Sequence, residues 1–267
     1  MDFDFDLIAA PFRMQPGLRR PPPGARHLTP LTQGSALWHE KKLVFDAGQS
    51  RHAVPGFDAA PALRAIATQA GRQADAFLAG GVPPELAFEE DLAVLDGTDG
   101  TLPWLCVCVP SHWAPEEKVG LPLAAVHAPV ADNATLLAAS QHLVQLATGG
   151  DAWERFVWTV TPSGRHDQHP RRHARTPWPE TADDAAFARQ CFLRAERQTF
   201  FPVGPGTRQA VFTIRVMLQP LAEAVGDAGK ARRLHEALAS MSPAVLAYKG
   251  LAQAQAPLLR WLAKEAG

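Results

Sequence analysis

Two runs of alternating side chains decide the fold: Phe192-Leu193-Arg194-Ala195-Glu196-Arg197-Gln198-Thr199-Phe200-Phe201 and Val211-Phe212-Thr213-Ile214-Arg215-Val216-Met217-Leu218. The turn Gly204-Pro205-Gly206-Thr207 joins them, so the stretch reads as two strands folded back on each other. In a strand, Arg194, Glu196 and Gln198 point one way and Ala195, Arg197 and Thr199 the other. In the second run, Phe212, Ile214, Val216 and Leu218 form an apolar face, with Thr213 and Arg215 opposite. Long polar side chains on an interior strand need partners, because unpaired buried charge is costly. Two readings follow: a solvated face with internal salt bridges, or a face turned to an anionic cofactor or polar pocket. Alternation leaves the register between the strands open.

Working outward, the apolar-leaning run Glu90–Leu95 and Trp104–Val109 flank Asp96-Gly97-Thr98-Asp99-Gly100, which is strong hairpin chemistry. Phe156–Val160 reads as a further strand. Helical spacing begins after Asp58, a candidate N-cap, with Leu63, Ile66, Ala67, Ala70, Ala74, Phe77 and Leu78. Gly80-Gly81 ends that helix and Pro83-Pro84 prevents continuation. Residues 133–147 have a helical pattern through Leu136, Leu137, Leu143, Val144 and Leu146. Leu221–Val225, Ala231–Met241, Ala244–Tyr248 and Ala252–Glu265 read helical too. The order fits an α+β domain built on an antiparallel sheet with flanking helices, since the regular β-α-β alternation of a parallel sheet is missing. Residues 1–57, punctuated by Pro, Gly and Arg, are expected to be an arm lying over a single domain at 58–267. Within them, Arg19-Arg20-Pro21-Pro22-Pro23-Gly24 is an extended surface segment.

Composition narrows the function classes. The chain has 267 residues, 46% apolar, with Lys+Arg 26 against Asp+Glu 27. That balance argues against a general nucleic-acid binder or a polybasic membrane-surface protein. No run reaches the ~18 apolar residues of a membrane-spanning helix. The acidic start Met1-Asp2-Phe3-Asp4-Phe5-Asp6 lacks the positive charge of a signal peptide, so a cytoplasmic location is expected. Cys106, Cys108 and Cys191 are too few for a four-Cys iron–sulfur cluster and read as buried small hydrophobes.

Among single residues His127 stands out, the only titratable group in the apolar run Leu121–Val130. Read alone, it is more commonly a satisfied core histidine; otherwise it is a neutral imidazole ligand to a metal or haem iron. Pro129 favours an extended Ala128, which would put the residue on a strand end or loop. The run His166-Asp167-Gln168-His169-Pro170-Arg171-Arg172-His173 has zinc-like spacing, but Pro170 breaks the helix required, so a solvated basic loop is favoured. Gly204-Pro205-Gly206 leads into a strand and lacks a third Gly, so it is no dinucleotide fingerprint. No Walker A motif or G-x-S-x-G elbow is present. Tyr248-Lys249-Gly250 ends a helix at an ordinary glycine C-cap.

Taken together, ordered short motifs resemble the haem-dependent oxidative N-demethylase α-subunit-like family over roughly residues 10–262. They are Glu90-Asp91-Leu92, Pro110-Ser111-x-Trp113, Glu117-Lys118-x-Gly120-x-Pro122-Leu123, His127-x-Pro129-Val130 and Glu154-Arg155-Phe156-x-Trp158. Glu196-Arg197-Gln198-Thr199, Gly206-Thr207, Phe212-Thr213-Ile214-Arg215 and Tyr248-Lys249-Gly250 complete the set. The resemblance implies a PAS-like antiparallel sheet with flanking helices that binds haem b. It also implies oxidative N-demethylation of small secondary amines such as dimethylamine, with O2 as oxidant. Electrons would come from NAD(P)H through a separate flavin and iron–sulfur partner. His127 matches the family's lone histidine and becomes the expected axial iron ligand. By chemistry, Arg155, Arg197 and Arg215 are candidates to pair with haem propionates, and Glu196 to orient a cationic amine or relay protons. Tyr248 and Lys249 are candidates for the pocket rim. Val157 replaces the family's usual Asn, and Phe200-Phe201-Pro202-Val203 is apolar where charge is common. Those departures point to a larger amine or a related N- or C-oxidation. The expected partners are thus an amine, O2 and a reductase protein, without nucleic acid or membrane and with self-association left open. A haem-based sensor on the same PAS-like cup is the alternative from another class.

Overall fold

The computed structural model describes residues 3–71, 81–128, 130–132 and 134–267. Ala74, Phe77 and Leu78, expected to extend the first predicted helix, and Gly80, expected to end it, lie outside them, as does Pro129. The Leu136 side chain is likewise not described.

Alternation forms the strands as expected, and pairing sets their order. The strands are β1 (Arg51–Ala53), β2 (Asp91–Asp96), β3 (Trp104–Cys106), β4 (Trp153–Thr161), β5 (Phe192–Pro202) and β6 (Gln209–Pro220). They make one antiparallel sheet in the order β1-β3-β2-β6-β5-β4. Counted from β2, this is the 2-1-5-4-3 order of a PAS sheet, with β1 as an added edge. Helices flank it, so the expected α+β architecture is observed.

The register between β5 and β6 is the informative one. Glu196 faces Val216, Gln198 faces Ile214, Arg197 faces Arg215 and Thr199 faces Thr213. The polar face of β5 around Glu196 therefore meets the apolar face of β6, while two arginines and two threonines share the opposite face. We call the Glu196 side the front and the Arg197 side the back. On the back, the C-terminal helices Ala228–Ala239, Pro243–Lys249 and Gln255–Glu265 build the largest core with Trp158, Leu193, Ala195 and Met217. On the front, the chain must travel from β3 near one edge to β4 at the other, and this crossover carries the helices Leu123–His127 and Ser140–Ala147.

Residues 1–57 contribute the helix Ala36–Asp46, capped by Ser35, as well as β1. Its buried residues are Leu37, Lys41 and Val44. A lysine in the middle of the buried stripe conceals the helical period from a hydrophobicity reading. Lys41 is fully buried and donates to the Phe88, Glu89 and Glu90 carbonyls at 3.0, 3.2 and 2.8 Å. Its counterion is Asp91, 3.2 Å away, whose carboxylate also accepts the Cys108 and Val109 amides. That carboxylate replaces the ladder, which is why β3 stops at Cys106 short of the expected Val109. The three cysteines are buried and unbridged, and burial pushes the Cys191 thiol up to about 12. The extended arm docks on the outer edge of β4, where Arg19 and Glu154 exchange backbone hydrogen bonds of 2.9 Å.

Candidate functional site

Front-face residues fall into rows across the sheet, about 7 Å apart at two residues of rise per row. The first row, Leu105, Ala93, Phe212, Phe200 and Trp153, is apolar. Phe200 and Phe212 stack with ring centroids 4.5 Å apart. Leu123 and Val126 pack on this row, which seats the helix Leu123–His127 over the front face. The next row is Asp91, Ile214, Gln198 and Arg155; then come Val216, Glu196 and Val157; then Leu218, Arg194 and Thr159.

His127 ends its helix rather than occupying the strand end or loop expected from Pro129, and Ala128 keeps a right-handed helical conformation (φ −55, ψ −36). Its Nδ1 lies 2.8 Å from the Leu123 carbonyl oxygen, one turn back. Only a protonated Nδ1 can donate to a carbonyl, so the neutral ring carries its lone pair on Nε2. Burial lowers its pKa, and the Arg155 and Lys118 cations lower it further, against the Leu123 hydrogen bond. The imidazole is neutral and basic at the nitrogen a metal would use.

Arg155 neighbours His127 electrostatically on one side and Glu196 and Tyr248 on the other. Its Nε is buried with no hydrogen-bond partner. Burial depresses its pKa, opposed by Glu196 and Tyr248. A buried guanidinium N–H without an acceptor costs about 1–3 kcal/mol, so an acceptor brought there would be bound favourably.

Glu196 is fixed at both oxygens: Ser111 Oγ donates to Oε1, and Gln198 Nε2 donates to Oε2 at 2.7 Å. Ser111 in turn accepts from Arg194 Nε at 2.9 Å. Arg194 is 2% exposed and also donates to the Arg165, Val109 and His166 carbonyls. Neither Ser111 nor Arg194 was singled out as a site residue from sequence, though Arg194, Glu196 and Gln198 share one face by simple alternation. Tyr248 leaves 46% of its surface to solvent. The packing around its phenol and the Glu196 carboxylate hold its pKa above the ordinary value. Lys249 donates from Nζ to the Trp158 carbonyl at 2.8 Å, and burial pulls its pKa down to about 8.

The other two candidate arginines lie on the back. Arg197 pairs with Glu154 at 2.8 Å and donates to the Arg26 carbonyl at 2.7 Å. Arg215 donates from Nε to Glu89 at 2.6 Å. The structure thus brings His127, Arg155, Glu196 and Tyr248 into one neighbourhood and sets Arg197 and Arg215 across the sheet from it.

The His166–His173 loop is docked rather than solvated. Glu40 accepts the His166 and Asp167 amides, and His166 Nδ1 lies 3.0 Å from it. Buried Asp167 receives Arg172 and lies 3.1 Å from His173 Nε2, while His169 faces Glu116. Asp167 is a local partner, whereas Glu40 and Glu116 come from distant segments that local composition does not reveal.

The haem-dependent oxidative N-demethylase, alpha subunit-like family model matches residues 86–259, a span that holds every residue of this neighbourhood. The chain belongs to this family. Membership in the N-demethylase alpha subunit-like family brings haem dependence and oxidative chemistry as the family's namesake properties. The front face suits that group on three counts. It offers a neutral imidazole with its lone pair on Nε2, a buried arginine with an unused N–H, and an apolar wall from Ile214, Val216 and Val157. Among the described residues no helix is long and apolar enough to cross a membrane.

Proposed function

We propose that this chain is the haem-binding subunit of an amine-oxidising monooxygenase, in which His127 would hold the iron through Nε2. The observation that carries the reading is the front-face line of His127, Arg155 and Glu196, in which the arginine keeps a buried N–H without an acceptor. Haem b would supply O2 activation. In the net reaction an N-methyl amine, one O2, two electrons and two protons give the demethylated amine, one formaldehyde and one water. The two electrons would come from NAD(P)H through a separate flavin and iron–sulfur partner, as the family resemblance implies; three cysteines are too few for a four-Cys cluster in this chain.

Each residue has a physical task. Arg155 would offer its unused N–H to a haem propionate. Glu196, clamped by Ser111 and Gln198, cannot swing away from the front face, so its carboxylate holds an incoming ammonium and accepts its proton at an Oε atom. Removing that proton frees the nitrogen lone pair for oxidation at the adjacent carbon. Val157, Val216 and Ile214 exclude water around the bond being cleaved. Tyr248 stands at the rim as a protonated phenol. Arg197 and Arg215 are assigned to fold stability, because Glu154 and Glu89 already occupy them.

The test is the absorption spectrum of the protein reconstituted with haem. A Soret band that is lost or strongly shifted in His127→Ala is expected, along with formaldehyde release from N-methyl amines under a reducing system. An unchanged band in the variant sinks the assignment. Tight ligand-dependent spectral change without amine turnover moves the protein to the sensor class.

A further inference from the structure

A second pocket opens one row beyond Glu196. His112, Thr159, Ser163, Arg175, Thr176 and Lys249 line it. Three of the six carry nitrogen bases or cations, three carry hydroxyls, and none is acidic. Among the described residues no carboxylate lies within ion-pair range of Arg175, Lys249 or His112. Arg175 and Arg194 lie near the His112 ring, and the packing around it together with these two cations pulls its pKa down to about 4.

Two backbone features and one hydrogen bond shape the pocket. His112 adopts a left-handed φ of 60, a conformation that costs a non-glycine residue about 1 kcal/mol or more. It follows Ser111, the residue that clamps Glu196, so the same turn aims one side chain at each site. Gly250 also has a left-handed φ of 68, and a Cβ placed there would collide with the Arg175 guanidinium. Glycine is required twice at this position, for the helix cap and for the passage of Arg175. Trp178 Nε1 donates to the Gly250 carbonyl at 3.0 Å, tying the loop that carries Arg175 to the end of the helix Pro243–Lys249.

We propose that this pocket is a carboxylate-binding subsite, and that the substrate is an N-methyl amine carrying an acidic group: the ammonium at Glu196, the carboxylate at Arg175. The proposal rests on the Glu196 role given above and names the substrate class of that site. Thr159 and Glu196 sit one row apart on neighbouring strands, so the pocket begins about 7 Å along the sheet from Glu196. That spacing suits an N-methyl-ω-amino acid of four or five carbons better than N-methylglycine.

Two ligand series distinguish the possibilities: N-methyl-ω-amino acids of two to six carbons, and the matching N-methylalkylamines without the carboxylate. Calorimetric titration of the haem-loaded protein is expected to show the four- or five-carbon acid binding at least about tenfold tighter than its alkylamine counterpart, the worth of one charge-assisted hydrogen bond. Arg175→Ala should erase that preference while leaving the haem spectrum and alkylamine binding in place. Equal affinity of the two series, failure of both to bind, or a preference that survives Arg175→Ala overturns the subsite. Formaldehyde from alkylamines without any acid preference leaves the haem reading standing and removes the subsite. Saturable acid binding with no formaldehyde from any amine keeps the subsite and removes the demethylation.

Discussion

The front and back of one sheet take the same residue types from the same strands and use them differently. On the back, Arg197 and Arg215 face each other across β5 and β6, and each is matched by a glutamate. Arg19 adds a second cation to Glu154 at 3.0 Å, and the cluster lies between two apolar cores. On the front, Arg155 keeps a buried N–H without an acceptor, and Glu196 is braced by uncharged donors. A cation that has found its counterion stabilises the fold; one that has not is held there at a cost in stability. Among the described residues the contrast lies in the arginines: Arg197 and Arg215 on the back are ion-paired, and Arg155 on the front is not.

The strongest way to break this contrast is to remove one partner from each side. Glu154→Ala strips the counterion from Arg197 and Arg19, and should destabilise the protein by about 3–5 kcal/mol in urea unfolding. Arg155→Met, which trades an unsatisfied N–H for an apolar chain of similar length, should raise the stability of the haem-free protein by about 1–2 kcal/mol and weaken haem retention. Equal signs for the two substitutions would end the distinction between the faces.

A smaller effect sharpens it. Lys249 has a folded pKa of about 8 against an ordinary 10.5, so between those values the unfolded chain binds the extra proton. Stability therefore rises with pH across that window, and the penalty is fully present below pH 8. Comparing wild type with Lys249→Met from pH 7 to 10 should show a rise confined to wild type. A flat difference would mean that the amine is well solvated and lies outside the site.

Much of the sheet was legible because period-two alternation survives burial: β5 and β6 extend at most two residues beyond their expected ends. Alternation alone also separated Arg197 from Glu196, and grouping Arg197 and Arg215 with Arg155 as haem contacts came from chemistry by resemblance. What stayed hidden depended on distant partners. The helix Ala36–Asp46 was masked by Lys41, whose burial depends on Asp91 and three carbonyls far along the chain. The docking of the His166–His173 loop depends on Glu40 and Glu116. The front-face neighbourhood was legible by type, through His127, Arg155 and Glu196, but its order along the strand required the β4–β5 register.

The pairing of β2 with β6 has a consequence for synthesis. This middle seam of the sheet joins residues 91–96 to 209–214, so the hairpin β2–β3 must wait for most of the chain before it acquires its neighbour. The helix bearing His127 is only five residues long and needs the front face of the sheet to pack on. Long-range seams of this kind form late. A nascent chain leaving the ribosome therefore carries residue 127 well before the front face exists, and that face is completed only once residues 209–214 have been made.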